Sequence, residues 1–527
     1  MARPSVAGLV AGALALALGG RASASVVTRM DVEDLTRLSA VVAVGTVESV
    51  VSARGGRGVI HTDVTVRVEE TLKGARAPRV VLRQPGGRVG ADQMVAFGMP
   101  EFAAGERVLV FAARTRGGAL SVTGLFQGKY RVVSEAGVEM AVRDAEDGAL
   151  VVGRAKASAP ARERLDLLRA RVRGLAARYP APAETSAPVD AAAPVEAAAA
   201  PAFTLRPLLP LRWFEPDAGL PVVMRYNPAP EPVLPGTTAR AEFVASVNAW
   251  TNVTGSTIVM QDGGNTSLSC WAADGQNVVS NLDPCGQFVP FDPVTCSGVL
   301  AVTGLARLSL ETRVVNGATF LRQLESDIVI NAGTECFWAE GEGNYGEVLA
   351  HEMGHVVGLG HSCGDAFSPD CATNPEADHA LMRAFAHGDG RGATPQTGDI
   401  DGARFIYPPP AFVDALLNQD TFSAGQTLDL KADLNGTARA DLYLLLVVPG
   451  GTFYSVGGTG VPNELVPAAR DAALGFATDV PLVNSTITGF EPGGVYTWVL
   501  GLVTPGANPA VGTNWLAFDV ATFTLNP

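Results

Sequence analysis

The sequence predicts a multidomain chain in which an α+β domain is flanked by an N-terminal all-β domain and a C-terminal β-sandwich. Three observations lead to this prediction. Segments that alternate polar and apolar residues, separated by glycines, fill the first and last parts of the chain. An Ala/Pro-rich segment divides the first part from the middle. The middle part alone combines helical periodicity with short strands and contains all six cysteines. A chain of 527 residues has room for about three or four domains.

Residues 1–24 have the features of a secretory signal peptide. Arg3 supplies the positive charge, Val6–Leu18 is an apolar run of the usual length, and Ala22–Ala24 is a small-residue cleavage site. An uncleaved membrane anchor is the alternative, but the run is short for crossing a bilayer. We therefore expect a secreted protein that has no membrane association after cleavage. The formal charge of −14 argues against nucleic acid or an anionic membrane as partner.

Residues 25–155 are predicted to form the N-terminal all-β domain. Thr62–Val68 alternates polar and apolar residues with a period of two, as a half-buried strand does. Further strands are predicted at Val41–Val51, Arg79–Arg83, Arg107–Ala112 and Lys129–Val133. Five short strands predict a small barrel. The runs Val44–Val47 and Val68–Gly74 resemble the OB-like barrel of netrin and metalloproteinase-inhibitor modules.

Residues 156–202 are predicted to contain a helix and then a linker. Residues 160–178 are rich in Arg, Leu and Ala, which favours one amphipathic helix. The Ala/Pro run that follows to Pro201 lacks the side chains that form a core, and predicts an extended linker. Such a linker is also a candidate site of proteolytic processing.

Residues 203–408 are predicted to form the α+β domain. Val222–Tyr226 is a candidate strand, and Thr238–Trp250 is a candidate helix with a buried apolar stripe. Leu300–Thr303 and Ser326–Asn331 are further strand candidates. Asn344 and Glu347 have the spacing of a capping box at the start of the next helix.

That next helix contains the pattern HExxHxxGxxH, from His351 to His361. His351 and His355 are four residues apart, so both imidazoles lie on one helical face and reach one zinc ion. Gly358 allows the helix to end and the chain to turn back, which carries His361 to the same ion. Three protein ligands leave a fourth position for water, as in catalytic zinc sites. Glu352 is placed to act as the general base on that zinc-activated water.

This motif resembles the metzincin clan of zinc endopeptidases, and Ser362 after the third histidine resembles its matrixin branch. Ala380–Met382 resembles the Met-turn of the clan, which implies that Met382 supports the zinc site without binding the metal. Residues 394–407 resemble the matrixin C-terminal helix, and Ser326–Asn331 resembles the strand that binds substrate by strand addition. The resemblance implies hydrolysis of peptide bonds in protein or peptide substrates.

The resemblance also has limits. Matrixins often hold a second zinc and calcium; their ligand motif is not found here, so one catalytic zinc is expected and calcium is left open. The matrixin prodomain inhibits through a cysteine, whereas no cysteine precedes Cys270 in this chain.

The six cysteines predict three disulfides in an exported protein. Six cysteines allow fifteen connectivities. Cys363 and Cys371 flank a short loop and are the first pair that we expect.

Residues 409–527 are predicted to form a β-sandwich, from short strands separated by Pro-Gly turns. Two roles are left open for this domain. It is either a passive stability module or a module that binds a surface, a polysaccharide or a substrate.

The sequence thus predicts a secreted zinc endopeptidase. The alternative is a non-catalytic surface-binding protein with a vestigial metalloprotease domain, and the intact Glu352 favours the enzyme.

Overall fold

The structure, a computed structural model, describes residues 30–55, 59–90, 92–96, 98–135, 137–143, 162–180, 203–206, 210–364 and 368–526. The predicted signal peptide and the linker from residue 181 to 202 lie outside these ranges. The described residues form two compact units, one drawn from Met1–Asn252, Ile258–Arg313 and Thr319–Gly402, the other from Val253–Thr257, Val314–Ala318 and Ala403–Pro527. The predicted mostly-β, multidomain character is confirmed, with several sheets and few helices.

The elements up to residue 180 are α1 (Val32–Leu38), β1 (Val41–Arg54), β2 (Ile60–Lys73), β3 (Arg79–Pro85), β4 (Gly87–Val89), β5 (Asp92–Ala96), β6 (Arg107–Arg114), β7 (Leu120–Val122), β8 (Lys129–Glu135), β9 (Val138–Arg143), β10 (Arg162–Arg164) and α2 (Leu165–Arg178). The five predicted strands are confirmed as β1, β2, β3, β6 and β8.

These strands form an antiparallel sheet in the order β10-β9-β8-β6-β1-β2-β3, with β7 paired to β6. Within the described ranges no ladder joins β3 to β10, so the closed OB-like barrel is not reproduced. The predicted helix is present as α2, which buries Leu165, Leu168 and Val172 in a core shared with β1 and β6. Because its apolar face completes this core, α2 packs with the N-terminal sheet and is not part of an extended linker.

The elements of the middle part are β11 (Leu211–Arg212), β12 (Val222–Tyr226), α3 (Ala239–Thr251), β13 (Met260–Asn265), β14 (Asn277–Ser280), β15 (Ala301–Val315), β16 (Ala318–Ile330), α4 (Glu335–Ala339), α5 (Asn344–Val357), α6 (Pro375–His379) and α7 (Thr397–Ile406). The sheet order is β13-β12-β14-β16-β15-β5-β4, with β11 paired to β16. Its last two members therefore come from the N-terminal part of the chain. Helix α3 begins after Thr238, whose hydroxyl accepts a hydrogen bond from Ala241 N.

The expectation that Ser326–Asn331 is the strand open to substrate is wrong. These residues lie mostly in β16, which has β14 on one side and β15 on the other. A strand whose main-chain groups are paired on both edges has none left for an added peptide. On the side of β16 that faces away from β14 lies β15, which pairs in turn with β5.

The remaining elements are β17 (Phe412–Leu417), β18 (Thr421–Phe422), β19 (Thr427–Asn435), β20 (Arg439–Val447), β21 (Phe453–Ser455), β22 (Ala469–Ala473), β23 (Ala477–Thr486), β24 (Gly494–Val503) and β25 (Trp515–Leu525). They form a sheet of order β17-β19-β23 and a second of order β18-β25-β24-β20-β21 with β22 on β20. One apolar core contains residues from both sheets, such as Leu430 and Leu500. Two sheets over one core constitute the predicted sandwich. Among the described residues, no helix is long and apolar enough to cross a bilayer.

Candidate metal centre

Helix α5 places two histidines on one face and then reverses the chain. Gly358 ends the helix with φ 122°, in the range that favours glycine. The N–H groups of Gly358 and Leu359 both donate to Gly354 O, at 3.1 and 3.0 Å. The chain therefore turns back as predicted and brings His361 to His351 and His355. One ring nitrogen from each lies within 4.8 Å of the others, and all three side chains are buried.

The orientation of the first two rings is set by main-chain oxygens. His351 Nδ1 lies 2.8 Å from Leu381 O, and His355 Nδ1 lies 2.9 Å from Leu359 O. A carbonyl only accepts, so each Nδ1 carries the proton and each Nε2 is left with a lone pair. Within the described part of the chain, the buried His351 Nε2 has no hydrogen-bond partner.

The electrostatics of the cluster suit a divalent metal. Burial, followed by the neighbouring imidazoles, lowers the pKa of His351 and His355 well below the usual value. Both rings are thus neutral at physiological pH, which is the form that binds metal. Three imidazole nitrogens are the donor set of many catalytic zinc sites. The residues present therefore fit the expected zinc.

The carboxyl group of Glu352, the residue after His351, is contacted by a threonine. Glu352 is fully buried. The hydroxyl of Thr303, on β15, lies 3.0 Å from Glu352 O and also contacts Glu352 Oε2. The sequence placed Thr303 only in a strand, because a contact between a strand and a helix 49 residues further on leaves no local pattern.

The predicted Met-turn packs directly against α5. Met382 is buried, and its Sδ occupies the space that a Cβ on Gly354 would enter. The chain of the third histidine runs beside this turn, because Ser362 N donates to Met382 O at 2.8 Å. Gly354 lies between the first two histidines, so the turn contacts the helix at the level of the cluster.

Asp399 fixes the Met-turn by accepting hydrogen bonds from its main chain. Its buried carboxylate accepts hydrogen bonds from Leu381 N at 2.7 Å, Met382 N at 3.0 Å and Gln396 N at 2.7 Å. Burial raises the pKa of Asp399 to about 6 although these N–H donors act in the opposite direction. The sequence of residues 394–407 predicted the helix that is present as α7. It did not indicate that Asp399, the first acidic residue of that helix, accepts hydrogen bonds from the Met-turn.

Gly354→Ala tests the contact between the turn and the helix. The added Cβ would lie 2.2 Å from Met382 Sδ and 2.7 Å from the rigid Trp250 ring. We expect the free energy of unfolding, measured in urea, to fall by about 1–3 kcal/mol, together with weaker zinc retention. Gly174→Ala in α2 is the matched control, because a Cβ there meets nothing within 4 Å. A Gly354→Ala protein as stable and as zinc-rich as the control would contradict this packing.

The expected capping box at the start of α5 is wrong. The N-cap residue is Gly343, and the Asn344 side chain donates to Phe337 O at 2.9 Å. Glu347 instead accepts from His387 N at 2.6 Å and Gly388 N at 3.1 Å, and its Oε1 lies 3.0 Å from His387 Nδ1. Glu347 thus joins the motif helix to the loop after the Met-turn.

The cysteines form three disulfides, Cys270–Cys285, Cys296–Cys336 and Cys363–Cys371. The expected pairing of Cys363 with Cys371 is confirmed. These two sulfurs also lie near the Asp378 carboxylate, but sulfurs joined in a disulfide are not thiolate ligands. The histidine cluster is therefore the metal site that the described residues offer.

No protein-family model matches this chain, and no curated protein matches it either. Function is therefore inferred from the histidine motif and from the geometry of the cluster.

Proposed function

We propose that this protein is a secreted zinc endopeptidase of the metzincin type, similar to matrixins in its motif. One observation carries the proposal: three buried histidine nitrogens within 4.8 Å of one another, with the buried carboxyl group of Glu352 next in the chain to the first. The order of elements before α5, a strand, a long helix and further strands, also fits this family.

His351, His355 and His361 would hold the zinc, with Met382 packed against the same helix at Gly354. Zinc, when bound, supplies a Lewis acid that polarises the scissile carbonyl and lowers the pKa of water. Glu352 accepts a proton from the attacking water and delivers it to the leaving amine, which balances the hydrolysis. Thr303 holds the Glu352 carboxyl group in place by its hydrogen bond.

The substrates would be proteins or peptides, because the chemistry requires only an amide carbonyl and a leaving amine. The three disulfides fit an oxidising compartment outside the cytosol. The C-terminal sandwich is the candidate for binding a surface or a polysaccharide.

The test is cleavage of casein or gelatin by the chain after proteolytic cutting within residues 181–202. We expect 1,10-phenanthroline to abolish cleavage and added zinc to restore it, whereas the non-chelating 1,7-isomer has no effect. Bound zinc is measured in the same preparation. A zinc-loaded, folded protein without chelator-sensitive cleavage would favour the non-catalytic surface-binding alternative.

A further inference from the structure

We propose that the N-terminal part of the chain, residues 30–180, keeps the zinc site latent by placing β5 on the edge of β15. This inference rests on the proposed function, because it assigns a regulator to that same site. The inhibiting element is a segment of backbone in strand pairing rather than a thiol that binds the metal.

The position of the pairing carries the argument. Ala96 pairs with Gly304 and Val95 with Leu305, in antiparallel register. Thr303, the residue before this pair, contacts the carboxyl group of Glu352. The covered main-chain groups are therefore next in sequence to the residue that holds the general base. An extended peptide that adds to a sheet edge needs unpaired main-chain groups. At Gly304 and Leu305 the strand β15 is already paired with β5.

The hairpin of β4 and β5 is anchored by apolar side chains as well as by its backbone. Met94 and Ala96 on β5 are buried in one core together with Trp271 and Val302. A Cβ on Gly304 would lie 2.4 Å from the Trp271 ring, so this glycine lets the indole pack closely against the paired strand. Met94 and Ala96 share this core with Trp271 and Val302, so docking of β5 buries apolar area, which favours the covered state.

The same N-terminal part also contacts the segment that follows the Met-turn. The rings of Phe126 and Phe385 meet edge to face, with centroids 6.1 Å apart. Phe385 follows the Met-turn residue Met382 by three positions, and both phenylalanines belong to the core that contains Met94. The N-terminal part therefore touches both β15 and the segment after the Met-turn.

Further contacts spread the docking over a wider surface. Gly117 N donates to Gly286 O at 2.9 Å, and Arg116 Nη1 donates to Leu282 O at 2.9 Å. Arg37 forms an ion pair with Asp292. With so many separate contacts, fraying of the hairpin alone is not enough to release the N-terminal part. Cutting the Ala/Pro-rich linker between residues 181 and 202 removes the covalent tether and lets the whole part dissociate.

The experiment compares four forms of the full chain for cleavage of a quenched peptide. They are the wild type, the double variant Met94→Lys/Ala96→Lys, the matched hairpin variant Arg88→Glu, and a chain with a site-specific protease sequence inserted between residues 190 and 191. The two lysines place charge in the shared core, whereas Arg88 is exposed on the same hairpin. Bound zinc, melting temperature and backbone hydrogen exchange of β15 are measured on each form.

We expect the double variant and the cut chain to cleave at least about tenfold faster than the wild type, because the rate follows the fraction of molecules with an open edge. Arg88→Glu is expected to match the wild type. Faster hydrogen exchange in β15 of the double variant is expected at unchanged zinc content. If the double variant fails to fold, the cleavage rates of the cut and the uncut chain are compared instead, and they test the same proposal.

Equal rates for the wild type, the folded double variant and the cut chain would overturn the latency while leaving the peptidase intact. If every zinc-loaded form is inactive, the proposed function is wrong. Hydrogen exchange in β15 then still tests whether β5 covers the edge of that strand. Unchanged exchange in β15 of the double variant would show that β5 does not cover this edge.

Discussion

Glu352→Gln is expected to lower the rate of peptide hydrolysis by about ten-thousand-fold or more, at or beyond the upper end of the roughly hundred- to ten-thousand-fold range for general acid–base groups. Glutamine keeps the size of the side chain and accepts the Thr303 hydrogen bond, but it has no basic carboxylate. Fold and zinc content should therefore survive. The measurement is the rate on a quenched peptide, made on the chain cut within residues 181–202, with melting temperature and bound zinc determined on the same sample.

Glu347→Gln is the matched control for this experiment. Glu347 is a second buried carboxylate on the same helix, but it contacts His387 and Gly388 rather than the histidine cluster. Its replacement should lower the melting temperature while the rate per zinc-loaded molecule stays near normal. Native melting and full zinc in Glu352→Gln together with a near-normal rate would refute the role assigned to Glu352.

His361→Ala is expected to weaken zinc binding by roughly a hundredfold. Zinc sites with four protein ligands supply about 10–16 kcal/mol, so one ligand contributes roughly 3 kcal/mol, which corresponds to two factors of ten. Loss of this imidazole also leaves a buried gap beside His351 and His355. The measurement is a zinc-competition titration with a chromophoric chelator, together with the metal content of the purified protein.

Two histidines outside the cluster provide the controls. His379 is exposed at the end of α6, so His379→Ala should bind zinc like the wild type. His387 packs on Glu347, so His387→Ala should lower stability but keep the metal. Full zinc retention in His361→Ala would remove this residue from the ligand set.

The parts of the site that were predicted correctly are those encoded by spacing along the chain. Four residues on a helix bring His351 and His355 together, and Gly358 supplies the turn that carries His361 to them. The same local reasoning failed for Glu347, because the capping-box spacing is present while the side chain reaches a loop 40 residues away. A short pattern does not reveal a more favourable long-range partner.

The positions of the strands along the sequence were predicted better than the pairing between strands. The apolar run 326–331 marks a strand correctly, yet its place inside the sheet depends on pairing with β14 and β15. Thr303 and β5 were missed as parts of the site for the same reason. Periodicity specifies which face of a strand is buried, but not which strand lies beside it.

The pairing of Ala96 with Gly304 has a consequence for the order of folding. The two residues are separated by roughly 200 positions, a distance at which closing the intervening loop is entropically costly and slow. During synthesis the N-terminal sheet emerges well before β15 does. It is then available as a preformed template on which the long β15–β16 hairpin can dock. During refolding from denaturant this loop must close in a complete chain, so the full chain is accordingly expected to refold more slowly than residues 203–527 alone.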